Sequence, residues 1–354
     1  MNIPASWSSW ATHRSLAGQR RTHVERSGKS MTFLVAAAIV LEVAAGAGLA
    51  YLAGFDHVWA ALAHVRLIWL AYLAAALTVS LVGYYLAYRA ILSVRERKRP
   101  PISRMGAVSI VAFGGVLAHS GGETEIRVLE AEGASKREAK VRVAALTGLE
   151  QGVIAVGGFA AAIAVLVMGR DQPPLSFTLP WAVIPVPAAL VILWLADRYQ
   201  RRRAPVSENQ GKLAVLLDGI QQIRRHVIHA FKPDGAIAGM VLFWAADAFA
   251  VWSGLAAFGA HINVAAFFVG FATGMICTRR AAPLAGAGLL TLALFLSIWV
   301  SGVPLATAAA AVFSYRMVML VLGLPVAVAP LKMLRSFGRA KAAPARAAIP
   351  GVGD

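Results

Sequence analysis

Met105-Gly106-Ala107-Val108-Ser109-Ile110-Val111-Ala112-Phe113-Gly114-Gly115-Val116-Leu117-Ala118 is an apolar run that stops at His119-Ser120-Gly121-Gly122-Glu123-Thr124-Glu125-Ile126-Arg127. A second run, Val264–Thr278, stops in the same manner at Arg279-Arg280-Ala281-Ala282-Pro283. A helix that crosses a bilayer needs about 20 apolar residues, and both runs fall short of that. Paired short segments, interrupted by Gly or Pro at corresponding points of two halves, are the sequence pointer to a substrate site in a repeat-built transporter. Both interruptions carry charge, so the fold and the function turn on the same residues.

The rest of the chain sets the class. Hydrophobic residues make up 58% and charged residues 14%, with a mean hydropathy of +0.66; a soluble domain has roughly 45–50% apolar and about 25% charged residues. Runs of bridging length cover Thr32–Ala53, Leu67–Leu92, Val143–Met168, Leu179–Ala196, Ala236–Ala260 and Pro304–Val328. The expectation is an all-α, polytopic helical membrane protein. The 34 Lys and Arg against 17 Asp and Glu give +17, which in a soluble chain would point to nucleic acid. Here the basic residues gather between apolar runs, at Arg14–Lys29, Arg95–Arg104, Arg198–Lys232 and Lys332–Arg346, whereas the loops Gly54–Val65, Gly169–Thr178 and His261–Asn263 carry little charge. That asymmetry reads as orientation and places both termini in the cytoplasm. Cys277 is the sole cysteine, which excludes an intramolecular disulfide and a cysteine-rich metal site. The basic leader before Thr32 reads as an arm ahead of an uncleaved signal anchor.

Counting crossings fixes more. The basic clusters at Arg95–Arg104 and Arg198 share a side, and Val143–Met168 and Leu179–Ala196 already supply an even number of crossings between them. The first short run must therefore enter and return, with Gly121 and Gly122 at its tip. Polar, non-helical backbone at that depth survives only inside protein or beside a wet cavity. The second half allows two answers. Either Val264–Thr278 and Leu284–Val300 both cross, with Arg279-Arg280 as a cytoplasmic loop, or they form a second re-entrant hairpin and the halves are inverted repeats. The second answer makes the halves match. Each half also has a turn opening a long helix: Gly133-Ala134-Ser135, with Glu138 at capping-box spacing, and Gly302-Val303-Pro304, with proline suited to a first helical turn. The organisation is then a basic arm at 1–31, a membrane domain at 32–330 and a basic tail at 331–354. Repeat 1 spans about 66–168 and repeat 2 about 236–330. The linker 198–232 between them has apolar residues Leu213, Leu216, Leu217 and Ile220 at helical spacing, as in a helix lying on the membrane.

Ionisable residues inside membrane segments are costly and are functional candidates by default. Asp247 lies within Phe243-Trp244-Ala245-Ala246-Asp247-Ala248-Phe249, far from either end of its run, and Arg316 lies well inside the last long helix. Arginine suits phosphate because its planar fork donates two parallel hydrogen bonds. Arg127, Arg279, Arg280 and Arg316 are the candidate phosphate ligands; the bland alternative for Arg279-Arg280 is a positive-inside loop. Glu123, Glu125, Glu130 and Glu132 either pair with Arg127, Lys136 and Arg137, as charge compensation on a solvated helix, or face a cationic headgroup; the first is the simpler reading. Glu150 either lines the cavity or pairs structurally, Glu42 is a partner for a buried base, and His119 sits at the first tip. Gly121, Gly122, Pro283, Gly133 and Gly302 are the structural punctuation. No phosphate-cradling loop, His-Glu-x-x-His or Gly-x-Ser-x-Gly pattern occurs, so neither an enzyme nor a cofactor or metal is expected.

The helix ending Tyr88-Arg89-Ala90-Ile91-Leu92, the short apolar run, the Gly-Gly-acidic break with Arg127 and the Gly-x-Ser cap together resemble the lysylphosphatidylglycerol synthase transmembrane region, or flippase-like integral membrane family. Pro283–Gly286, Gly302-Val303-Pro304 and Tyr315-Arg316 look like its second repeat. The resemblance covers about residues 32–330. The family shows Pro-Gly-Gly at both breaks, where this chain has His119-Ser120-Gly121-Gly122 and Pro283-Leu284-Ala285. The resemblance implies a lipid transporter of the bacterial cytoplasmic membrane, with its partners anionic, aminoacylated or glycosylated lipids. Family members that transfer an amino acid do so with a separate soluble domain that does not follow here, so transport and not transfer is the expectation. Two other readings stand beside it. One is a non-transporting membrane partner of a lipid- or sugar-modifying enzyme, docked through 198–232; the other is an ion-coupled transporter of a small anion. A homo-oligomer is compatible with each, and nucleic acid with none.

Overall fold

The computed structural model describes residues 40–41, 43–92, 125–126, 129–130, 134–169, 173–201, 211–228, 235–276 and 289–322. The described residues are helical, with no strand among them. In chain order the helices are α1 (Val43–Ala53), α2 (Phe55–Ala63), α3 (Leu67–Leu92), α4 (Lys136–Met168), α5 (Leu175–Val183), α6 (Pro185–Arg201), α7 (Lys212–Ile228), α8 (Ala236–Ala257), α9 (Val264–Ile276), α10 (Leu289–Val300) and α11 (Leu305–Leu322). Five of these units are long and apolar enough to cross a membrane: α3, α4, α5 with α6, α8 and α11. A helix keeps every backbone N–H and C=O bonded within its own segment, which is the condition for crossing lipid. The chain is thus an α-helical protein whose spans suit a multi-pass membrane protein.

Helix α6 makes the solvent argument most directly. Leu190, Val191, Ile192, Leu193, Trp194 and Leu195 are all exposed, on every side of the helix. A helix apolar all round must sit in a protein core or in lipid, and α6 has little protein over it. Pro180 interrupts α5 and Ile184 marks the bend into α6. The two form one bent span, because the Ala188 N–H still bonds the Ile184 carbonyl at 3.0 Å across the bend.

The centre of the bundle is an antiparallel pair. At one end the Arg66 N–H bonds the Ala257 carbonyl at 2.9 Å, joining the start of α3 to the end of α8. Toward the other end Gly83 and Gly239 meet backbone to backbone. A Cβ on Gly83 would lie 2.5 Å from the Phe243 nitrogen, and one on Gly239 2.5 Å from the Ala87 nitrogen. Small residues let membrane helices approach this closely, so that packing and not water drives association. Helix α11 runs antiparallel along the same face of α8, with Ala311 opposite Gly254.

Helix α4 has 33 residues, about 50 Å at 1.5 Å per residue, which exceeds the ~30 Å hydrocarbon layer. The Ser135 hydroxyl caps it by accepting the Glu138 N–H at 3.2 Å, as the sequence spacing predicts, and the Glu138 carboxylate is bound by Arg142. Gly169, at φ 65°, ends it. Its charged first turns carry α7, the amphipathic helix expected in the linker. Gly219 of α7 seats against Ala144 and Ala145, and Arg137 bridges Asp218 at 2.6 Å. On the same side Asp197 of α6 receives Arg224 at 2.8 Å, and the Arg198 guanidinium lies over the Trp194 ring.

Two expectations change. The loop 54–65 contains a short helix, α2, set off from α1 by Gly54 at φ 83°. Glu125 is not on a solvated helix: it is wholly buried. Local polarity suggested solvent, and tertiary packing against α3 decides otherwise.

Helices α9 and α10 have 13 and 12 residues, about 20 and 18 Å long, so neither, as described, crosses the ~30 Å layer. They lie antiparallel and close, Gly270 against Ser297 and Ser301 and Gly274 against Leu294. Asn263 caps α9, its side-chain oxygen accepting the Ala265 N–H at 2.9 Å. The segment joining them, 277–288, lies outside the described residues.

Candidate functional site

One turn of α8, Phe243 to Asp247, contacts Tyr84 of α3, Glu150 of α4 and Tyr315 of α11. Asp247 is the twelfth of the 22 residues in α8, mid-span on a helix whose apolar composition would otherwise suit lipid. It is 1% exposed, and its Oδ1 accepts a hydrogen bond from the Tyr315 hydroxyl of α11 at 3.0 Å. Tyr315 is itself fully buried, and the next residue, Arg316, is 4% exposed, with its Nη1 3.5 Å from the Met319 sulfur. The Tyr315-Arg316 pair thus delivers a neutral donor and a cation to the middle of the bundle from adjacent positions.

Glu150 of α4 meets the same turn through its backbone. Glu150 is 1% exposed, and the Trp244 indole N–H donates to its backbone carbonyl at 2.8 Å. Trp244 is wedged between Phe243, at 4.9 Å between ring centroids, and Phe271 of α9 at 5.9 Å. Edge and tilted geometries of this kind are favoured because the ring edge is positive and the face negative.

The third carboxylate comes from the first charged break. Glu125 Oε1 accepts the Tyr84 hydroxyl of α3 at 2.5 Å, and the Tyr84 ring packs on Phe243 at 5.5 Å. Beyond it Ile126 and Leu129 lie against Ala139 and Val143 of α4. Glu125, Ile126 and Leu129 therefore lie between α3 and α4, a helix of spanning length. The close crossing at Gly83 and Gly239 makes this arrangement possible, since it brings Tyr84 and Phe243 into register.

Among the described residues the buried ionisable acids and bases are Glu125, Glu150, Asp247 and Arg316. Asp247, Glu150 and Arg316 are sequence candidates that the structure places around α8 and α11. His119, Gly121, Gly122, Glu123, Arg127, Gly133, Arg279, Arg280 and Pro283 lie outside the described residues, as does Glu42, and Gly302 forms the turn into α11 at φ 103°. Sequence reasoning passed over Tyr84 and Trp244, and took Tyr315 only as part of a family pattern. The signal available was spacing: Tyr84 and Tyr88 lie one turn apart beside Gly83, and Trp244 precedes Asp247 by one turn. No group of three or more His, Cys, Asp or Glu among the described residues has metal-holding geometry.

A separate polar contact joins the short pair to the bent span. The Trp181 indole N–H donates to Thr273 Oγ1 at 2.8 Å, and that hydroxyl donates to the Val269 carbonyl at 2.7 Å. Trp181 also fills the space over Gly158 of α4. Helix α9 is thus held by side chains from α5 and α8, and Cys277 and Arg279-Arg280 follow it in the sequence. Neither the family models nor the curated proteins searched match this chain.

Proposed function

We propose that the chain is a lipid flippase-like transporter of the bacterial cytoplasmic membrane, moving a phosphate-bearing lipid, either a phospholipid or an isoprenoid- or glycan-linked one. The observation that carries the reading is the burial of Glu150, Asp247 and Arg316 in helices long and apolar enough to cross a membrane, with Glu125 buried beside α3. Such residues cost about 2.5–3.5 kcal/mol each to insert and persist where a pathway or site uses them. The halves are inverted repeats in this reading. Helices α9 and α10 form the second re-entrant hairpin, with Arg279-Arg280 near its tip, and Arg127 comes from the first. Supporting it are the shortness and close antiparallel packing of α9 and α10 and the burial of Glu125 in the first break. Arg316, with Arg127, Arg279 and Arg280, serves the lipid phosphate; the basic end bearing Lys136, Arg201 and Arg224 faces the cytoplasm.

The test is headgroup exposure of a fluorescent phosphatidylglycerol in vesicles reconstituted with the protein. The wild type accelerates exchange between leaflets. Arg316→Ala and Arg127→Ala slow it at least tenfold, on the order of the ~1.5–3 kcal/mol carried by a hydrogen bond to a charged group. Unchanged rates in both variants would remove the phosphate pathway. Topology is checked with Cys277, the only thiol. The outer-hairpin arrangement predicts no labelling by an impermeant maleimide confined to the cytoplasmic side, and labelling from that side alone rules the hairpin out. A docking role for the linker keeps one specific observation, the exposure of Leu213 and Leu216 one turn apart on α7. Capture of a lipid- or glycan-modifying enzyme that is lost in Leu213→Asp would favour it.

A further inference from the structure

We propose that Glu125 and Asp247 bind and release protons during the transport cycle, so that movement of the carried group is coupled to a proton gradient. This rests on the reading of the chain as a transporter, whatever it carries. Each carboxylate is at most 1% exposed, and each is bonded to a tyrosine hydroxyl, from Tyr84 and Tyr315 respectively. A structural hydrogen bond could be made by Asn or Gln without burying a charge. The desolvation penalty of an ion is several kcal/mol even after relaxation, and what a carboxylate offers in exchange is a change of charge. Tyrosine suits that change. Its O–H donates to the carboxylate oxygen whether the acid is ionised or protonated, so the pairing survives both states, whereas a cationic donor favours the ionised form alone.

The two pairs also sit where parts of the fold meet. Glu125 is held by Tyr84 of α3, and Tyr315 belongs to α11, which follows the α9–α10 pair. Phe243 and Asp247, one helical turn apart on α8, contact Tyr84 and Tyr315 respectively. Movement of α3 or α11 against α8 would expose one carboxylate to water. There a proton adds to a carboxylate oxygen and neutralises it; after the reverse movement the proton leaves to water on the other face. Tyr84 and Tyr315 keep their own protons throughout. The ionisable groups on elements packed around this turn are Tyr84, Tyr85, Tyr88 and Arg89 of α3, Glu150 of α4, and Tyr315 and Arg316 of α11; α9 and α10 carry none. Helix α4 also carries Lys136, Arg137, Lys140 and Arg142 near the Glu125 segment, of which Arg137 is bound to Asp218 and Arg142 to Glu138. On α7, Arg224 is bound to Asp197.

The experiment uses the full chain in phosphatidylcholine–phosphatidylglycerol vesicles with pyranine inside and a fluorescent phosphatidylglycerol as reporter, under an imposed pH gradient. The expected result is proton movement across the wild-type vesicles above that of empty ones, with lipid redistribution that follows the sign of the gradient. In Glu125→Gln and Asp247→Asn, which retain an acceptor for each tyrosine, the proton signal is lost. Asp247→Glu, which keeps a protonatable group, restores a part of it. Circular dichroism and gel filtration confirm that each variant is folded. A wild type that redistributes lipid but moves no protons overturns the coupling and leaves lipid transport standing. Proton movement without lipid redistribution supports the coupling and overturns the lipid. Variants that are folded and still move protons at the wild-type rate also overturn it.

Discussion

Trp244→Ala is expected to be the most destabilising truncation in the bundle, lowering the unfolding free energy by up to about 3–5 kcal/mol. The side chain is 2% exposed, lies between Phe243 and Phe271, and donates its indole N–H to the Glu150 carbonyl. In a soluble core, part of the cost of such a change is the lost transfer of apolar surface out of water. Lipid tails are as apolar as leucine, so that part shrinks in a membrane. What remains is the cavity, the lost ring contacts and the lost hydrogen bond across two helices. The loss is also not local. Trp244 links α4 to α8 and touches α9, so the variant should loosen the seat of Glu150 and the root of the α9–α10 pair together. Thermal unfolding of the purified protein in detergent measures the effect. Trp299→Ala supplies the control: that ring is 46% exposed on α10 and its removal should change stability by less than about 0.5 kcal/mol. Equal losses in the two variants would mean that the aromatic cluster around α8 does not hold the bundle.

The contrast between Asp247 and Glu125 shows what one sequence reveals. Asp247 was legible because its setting is local: an acid amid Phe, Trp and Ala on a membrane-length run has no water to reach, whatever surrounds the helix. Glu125 misled because its setting is also local, and polar. Its neighbours Glu123, Arg127 and Glu130 made a solvated helix the simpler reading, and only the docking of Tyr84, distant in sequence, places it in the interior. Spans, caps and the amphipathic α7 follow from periodicity and composition within a window, so α3, α4, α8 and the Ser135 cap were readable. Partners are not of that kind. That Tyr315 meets Asp247, or that Trp244 meets Glu150, depends on the rotation and depth of two helices at once. In lipid an apolar surface fixes rotation only weakly, because every face of α6 is as apolar as the next. The short run Val264–Thr278 is readable too, yet its length is compatible with two topologies.

Gly239→Leu is expected to separate α3 from α8. Glycine in an apolar helix is unremarkable by itself, and nothing in the sequence distinguished Gly239 from Gly152. The structure does: a Cβ at Gly239 meets the Ala87 nitrogen at 2.5 Å and the Gly83 carbonyl oxygen at 2.8 Å, whereas one at Gly152 meets nothing within 4 Å. The obstructing atoms are backbone, so no rotamer change relieves the clash and the helices must move apart. Overpacking of a core costs typically about 1–3 kcal/mol, and a rigid backbone neighbour puts this site at or above the upper end. The geometric consequence matters more than the energy. Tyr84 packs at a tilt against Phe243 directly beside this crossing and holds Glu125, so spreading the pair withdraws the donor from a buried carboxylate. The variant should therefore lose stability and also lose the effect of Glu125→Gln, since the carboxylate will already have left its partner. Measured in one set of variants, Gly239→Leu with and without Glu125→Gln should be non-additive, as expected for residues that share a contact network. Gly152→Leu should be additive with Glu125→Gln and close to neutral alone. Additivity at Gly239 would mean that the Gly83–Gly239 crossing does not position the buried tyrosine–carboxylate pair.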